Sequence, residues 1–200
     1  MNRPASVVLI AVLFEGLLGV VGWALCVWQG VPLAERLTPT ASTWLRVAVA
    51  TLPMLILLVY VTRSRWAPIV ELRSRVEWLV GELFRDVGWL GLAVVSVTAG
   101  FGEEVLFRGA LQPIAERSLG STTGLIAASL CFALAHAVTR AYFLFALAVG
   151  LYLGWIAHTF DELVTPIAVH ALYDFVALVV LQRSVRRHTG LAPTLDAGPP

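Results

Sequence analysis

Apolar residues fall into six long runs separated by short polar breaks. The first spans Ala5 to Trp28 and is broken only by Glu15; the second spans Trp44 to Val61. A third begins at Val87 and reaches about Leu111, interrupted by Glu103, Glu104 and Arg108. The last three cover Thr123 to Ala137, Ala141 to His158 and Leu163 to Leu181. A helix needs about 20 mostly apolar residues to cross a hydrocarbon core about 30 Å thick. A helix also satisfies its own backbone hydrogen bonds, which lipid cannot do for it. The pattern therefore predicts an all-α fold, a polytopic membrane helical bundle of about six transmembrane helices. The first run exceeds a signal-peptide core and has no small-x-small cleavage site before the polar stretch near Gln29, so it is expected to be an anchor.

Composition narrows the class. Hydrophobic side chains make up 58% of the 200 residues and charged ones 14%, against about 45–50% and about 25% in soluble domains. A net charge of +1 supplies no footprint for nucleic acid, and the hydrophobicity excludes disorder. Cys26 and Cys131 each sit in an apolar run and suggest neither a disulfide scaffold nor a four-cysteine metal site.

All 14 basic residues are arginine. With both termini cytoplasmic, Arg3, five arginines of residues 63–86, Arg140 and three near the C-terminus lie inside, against Arg36, Arg46 and Arg117 outside. That asymmetry obeys the positive-inside rule and implies a multi-pass protein of the cell membrane. The chain divides into an N-terminal transmembrane pair (1–62), an arginine-rich segment (63–86), a transmembrane core (87–182) and a tail (183–200) expected to be disordered. The segment 63–86 spaces Trp66, Ile69, Val70, Val76, Leu79, Val80 and Leu83 as an amphipathic helix on the inner surface would; a solvated charged linker is the alternative.

Ionisable groups inside membrane helices cost at least about 2.5–3.5 kcal/mol each. The third to sixth runs nevertheless hold Glu103, Glu104, Arg108, His136, His170 and Asp174. Glu104 and Arg108 are four apart on one helix face and can pair. Glu103 is rotated about 100° from that pair and points elsewhere. His170 and Asp174 are also four apart, and His136 follows Phe132 by four. Gly100, Gly102 and Gly109 would let neighbouring helices approach closely. At about 1.5 Å per residue, Glu103 is expected roughly 12 Å below the outer end of its helix, with the others within one or two turns of that level. The arrangement predicts a hydrophilic chamber near mid-membrane, with the connection after His136 below the membrane surface. Glu15 has no partner nearby in sequence and is a secondary candidate.

A carboxylate and two imidazoles around a watery pocket suit the activation of water, with glutamate as general base and an imidazole orienting the water or protonating the leaving amine. The remaining His and Asp could hydrogen-bond an oxyanion, Asp only if protonated. Alternatively Glu103, His136, His170 and Asp174 could hold zinc with an open position, although no His-Glu-x-x-His helix is present.

Three motifs resemble a known family. Gly102-Glu103-Glu104-Val105-Leu106-Phe107-Arg108-Gly109 is similar to the Glu-Glu-x-x-x-Arg motif of the CPBP family, the CAAX prenyl protease and bacteriocin-processing group also called Abi. Phe132-Ala-Leu-Ala-His136 resembles its Phe-x-x-x-His motif, and His170-Ala-Leu-Tyr-Asp174 its His-x-x-x-Asn/Asp motif. The three occur in family order within residues 88–182. The resemblance implies an all-helical intramembrane endopeptidase with a conical cavity, classed as metallo- or glutamate-type. It implies Glu103 as water-activating base with His136 as partner, and His170 and residue 174 stabilising the oxyanion. Glu104, Arg108 and Phe132 would support the site. Asp174 stands where many members have Asn, and an ionised Asp would repel developing negative charge.

The expected function is hydrolysis of a peptide bond in a membrane-associated or prenylated-tail-like peptide, with peptide or membrane-protein substrates, the bilayer as partner, no nucleic acid, and zinc as the candidate cofactor. A non-catalytic scaffold or bacteriocin immunity factor with a retained binding cavity is the main alternative. A small proton-using transporter is a weaker one, because two matched halves are absent.

Overall fold

A computed structural model describes residues 3–188 and is helical throughout its long elements. Helix α1 (Arg3–Gln29) is followed by the short α2 (Leu33–Arg36), α3 (Thr43–Arg63), α4 (Ala67–Phe84) and α5 (Trp89–Glu104). The chain continues without a break through a π-helical stretch (Val105–Leu111) into α6 (Gln112–Leu119), then α7 (Ser121–Ala135), α8 (Arg140–Phe160) and α9 (Val164–His188).

Among the described residues, five helices are long and apolar enough to cross a membrane: α1, α3, the continuous Trp89–Leu119 helix, α8 and α9. The fourth apolar run forms a shorter helix of 15 residues, α7, which at about 1.5 Å per residue falls short of a hydrocarbon core. The protein is thus a helical membrane bundle. Its third span was expected to end near Leu111 but reaches Leu119, because its polar residues are satisfied internally. Gln112 donates to Gly154 O at 3.0 Å and to Glu116 Oε1 at 2.9 Å. Residues 183–188, expected in a disordered tail, continue α9; residues 189–200 lie outside the described residues.

Polar contacts gather at the two ends of the bundle. At one end Arg3 Nη2 donates to Glu82 O at 3.2 Å, Ser184 Oγ to Glu77 Oε1 at 2.8 Å, and Gln182 Nε2 to Phe84 O and Val87 O. These bonds join the starts of α1 and α5 and the end of α9 to α4. At the other end Arg36 Nη1 donates to Arg108 O at 3.0 Å, Arg36 Nε lies 3.4 Å from Asp161, and Thr43 and Arg46 hold Glu162. Between these ends, large apolar side chains such as Ile10, Leu13 and Phe14 of α1 face outward, as lipid-facing residues do.

Glycines set how closely the helices cross. A Cβ at Gly22 would lie 2.7 Å from Leu106 N, and one at Gly102 would lie 2.0 Å from Glu15 O. On the other side of α5, a Cβ at Gly100 would meet Ala171 N and Ile167 O at 2.9 Å. Gly100 and Gly102 therefore let α9 and α1 press their backbones against α5 on either side of Glu103. Close approach through small residues is the usual basis of helix association in membranes.

Candidate active site

Glu103 ends α5 immediately before the π-helical stretch, and such wider turns recur at functional sites. With the helix running on to Leu119, it lies roughly 24 Å from that end rather than roughly 12 Å, close to the middle of the span. His136 terminates α7, where the helix gives way to a non-helical connection before Thr139 Oγ1 caps α8 by accepting from Tyr142 N at 3.1 Å. His170 and Asp174 lie one turn apart on α9. Glu103, His136, His170 and Asp174 all line one cavity of about 310 Å³.

Beneath Glu103 a buried frame is closed. Arg108 Nη1 donates to Glu104 Oε1 at 2.8 Å and Nη2 to Gly150 O at 3.1 Å; Glu104 and Arg108 are buried to 0% and 1% side-chain exposure. His170 Nδ1 lies 2.8 Å from the same Glu104 oxygen. The Arg108 guanidinium carbon sits 4.3 Å from the Phe132 ring centroid, and the Phe132 and His136 rings are 4.5 Å apart. Phe132 is therefore the plate separating the buried arginine from the histidine.

These contacts fix the imidazole tautomers. Glu104 Oε1 already accepts from Arg108, so His170 Nδ1 must donate to it. His136 Nδ1 lies 2.8 Å from Phe132 O, and a carbonyl can only accept. In each neutral ring the lone pair is consequently on Nε2. Both Nε2 atoms face Glu103: His136 Nε2 is 3.7 Å from Oε1 and His170 Nε2 is 3.9 Å from Oε2. Asp174 Oδ2 is 3.5 Å from His170 Nε2. Glu103 Oε2 is shielded from solvent and has no hydrogen-bond partner among the described residues. The focus is rich in acceptors and poor in donors, with gaps too long for direct hydrogen bonds. Such gaps suit a bridging water or a substrate N–H.

The same atoms carry the donor chemistry a metal would need. Two Nε2 lone pairs whose Nδ1–H groups are tied to a carbonyl and a carboxylate, beside a free carboxylate, are the donor chemistry of a zinc site. As placed, no group of three or more His, Cys, Asp or Glu among the described residues converges as a ligand set.

The rest of the lining includes residues the motifs did not indicate. Glu15 of α1, Tyr142 of α8 and Tyr173 of α9 face the cavity near the acidic and imidazole groups. Apart from Arg73, the rest of the wall is apolar, with Leu58, Leu72, Val76, Leu79, Phe145 and Leu178. Segment 63–86 thus contributes a helix that roofs the chamber. The periodicity of its apolar residues was visible in sequence, but their target was not.

Residues 85–176 match the family model described as Rce1-like, the type II CAAX prenyl endopeptidases. Over those residues the chain is similar to the CAAX protease family. All three motifs lie inside the match, and Glu15 and α4 lie outside it. No curated protein and no solved structure matches the chain. The family is one of intramembrane proteases of the CAAX type, so peptide substrates and a membrane setting follow at that general level.

Proposed function

We propose that this chain is an intramembrane endopeptidase that hydrolyses a peptide bond with water activated by Glu103. The carrying observation is the Glu103 carboxylate, with one oxygen facing His136 Nε2 and the other facing His170 Nε2, in a cavity inside the bundle. A water in the Glu103–His136 gap gives one proton to Glu103 and is oriented through its other proton by His136 Nε2. The hydroxide so formed adds to the substrate carbonyl carbon, and the C–N bond breaks as Glu103 passes the proton to the leaving amine. In place of the neutral ring, His170 acts as an imidazolium: Nδ1 stays bonded to Glu104, the Asp174 charge beside Nε2 stabilises the cation, and the Nε2–H is donated to the oxyanion. Asp174 thereby acts through His170, which removes much of the objection to an acidic residue at this position.

If zinc is bound, His136, His170, Glu103 and Asp174 are the residues to hold it, and it would supply Lewis-acid activation of water. The apolar wall suits a substrate with a greasy segment, such as a prenylated-tail-like or membrane-anchored peptide. The arginine asymmetry supports cytoplasmic termini, which puts the mouth roofed by α4 on the cytoplasmic side.

The test compares wild type and Glu103→Gln in proteoliposomes against a library of membrane-anchored and lipidated peptides. Wild type should yield products that Glu103→Gln forms at least about 10²-fold more slowly. Equal product from both, or no product from wild type, would leave the scaffold reading standing instead. A zinc chelator added to active wild type decides the metal question.

A further inference from the structure

Two depressions meet where α1 and α5 begin. One is a polar pocket of about 70 Å³ whose charged lining is Arg3, Glu82, Arg85 and Asp86. The other is an apolar groove of about 420 Å³, walled by Ala5, Val8, Leu9 and Val12 of α1 and by Val87 and Gly88 ahead of α5. Pro4 borders both, and Asp86 and Val87 are consecutive, so the polar pocket opens onto the groove. Neither shares a lining residue with the cavity that holds Glu103. Trp89, next in sequence to Gly88 of the groove, is exposed at the start of α5, and tryptophan at a helix end marks the headgroup level of a bilayer.

The pocket holds two guanidinium groups and two carboxylates. Arg3 Nη2 lies 4.0 Å from Glu82 Oε2, a loose and exposed pair. Arg85 Nε is shielded from solvent and has no hydrogen-bond partner among the described residues. A shielded cationic N–H without an acceptor is costly and favours an anionic oxygen there. The Arg85 backbone is itself pinned, because its carbonyl accepts from Arg186 Nε at 2.9 Å and Nη2 at 2.5 Å.

We propose that the pocket and groove together bind one phospholipid with a primary-ammonium headgroup, of the phosphatidylethanolamine type. The phosphate sits on Arg85 and Arg3, the ammonium on Glu82 and Asp86, and one acyl chain fills the groove. Charge balance selects a zwitterion, since a purely anionic headgroup drawn onto Arg3 and Arg85 would take Arg3 from Glu82 and bring no cation to Asp86. A trimethylammonium group cannot donate hydrogen bonds to those carboxylates and is bulky for the pocket. A lipid seated this way ties the start of α1 to the α4–α5 connection. The proposal does not depend on the proposed peptidase activity.

Thermal unfolding and native mass spectrometry of the full chain in detergent, titrated with phosphatidylethanolamine, phosphatidylcholine or phosphatidylglycerol of identical chains, test it. Phosphatidylethanolamine should bind at least about tenfold more tightly than the other two, as loss of one charge-assisted hydrogen bond would give. Glycerophosphoethanolamine, which lacks acyl chains, should not compete. Arg85→Met should abolish the preference. So should Gly88→Trp, which fills the groove alone: a Cβ there meets no heavy atom within 4 Å, and the backbone is extended. Equal affinities in wild type, a preference that survives Gly88→Trp, or competition by the acyl-free headgroup would overturn the assignment. If Arg85→Met does not fold, Gly88→Trp decides alone.

Discussion

Replacing Arg108 by methionine tests whether the site rests on its buried ion pair. The change removes the 2.8 Å bond to Glu104, the 3.1 Å bond to Gly150 O and the cation stacked 4.3 Å from Phe132. Glu104, at 0% exposure, keeps only His170 and has one oxygen already without a partner. Breaking a buried pair from one side costs about 3–5 kcal/mol, chiefly because the remaining charge is uncompensated. Methionine preserves much of the apolar stem, so packing loss adds little. If charge is the cause, removing it from the partner should restore stability. Glu104→Gln/Arg108→Met should therefore be about 2 kcal/mol more stable than Arg108→Met alone, and the coupling energy in the double-mutant cycle should exceed that figure by the cost of Glu104→Gln alone. Equilibrium unfolding in mixed detergent micelles measures both. A loss below about 1 kcal/mol for Arg108→Met, or strict additivity in the cycle, would refute the charge argument.

Three other changes probe the frame and the chemistry. Asp174→Asn should keep peptidase activity within about tenfold of wild type, because an amide oxygen can still accept from His170 Nε2; a loss comparable to Glu103→Gln in the same cleavage assay would show that the negative charge itself is needed. Gly102→Ala should destabilise the bundle by about 1–3 kcal/mol through forced separation of α1 and α5, whereas Gly16→Ala, where a Cβ meets nothing within 4 Å, should be neutral in the same unfolding measurement. Arg36→Met removes the bond to Arg108 O and the contact with Asp161; it should cost about 1.5–3 kcal/mol and speed amide hydrogen exchange in the π-helical stretch, and unchanged exchange there would disconnect Arg36 from the site.

What the sequence made legible was the membrane, the helices and the ionisable residues of the chamber, because charge in an apolar run is conspicuous whatever its partners. Helix ends were harder. Gln112 and Glu116 look like a polar exit from the bilayer, yet their pairing with each other and with Gly154 O lets the third span continue to Leu119. Residues 183–188 look like a charged tail, yet Ser184 reaches Glu77 and Arg186 the Arg85 carbonyl, so α9 persists. Such endings depend on acceptors about 100 residues away, which local periodicity cannot register.

Glu15 shows the same limit at the site itself. Nothing near it in sequence explains a carboxyl in the middle of α1, and it lies outside the family-matched residues. Its place follows from Gly102, where a side chain of any size would collide with the Glu15 carbonyl. The glycine beside the proposed base is thus what brings a third carboxyl, on a helix more than 80 residues earlier, to the cavity wall beside Glu103 and Asp174. The motif Gly102-Glu103-Glu104 accordingly encodes three things at once: a backbone crossing, a carboxylate left open to the cavity, and a carboxylate committed to Arg108 and His170. Adjacent glutamates differ in role because a step of about 100° around the helix turns one toward the imidazole lone pairs and the other into the buried frame.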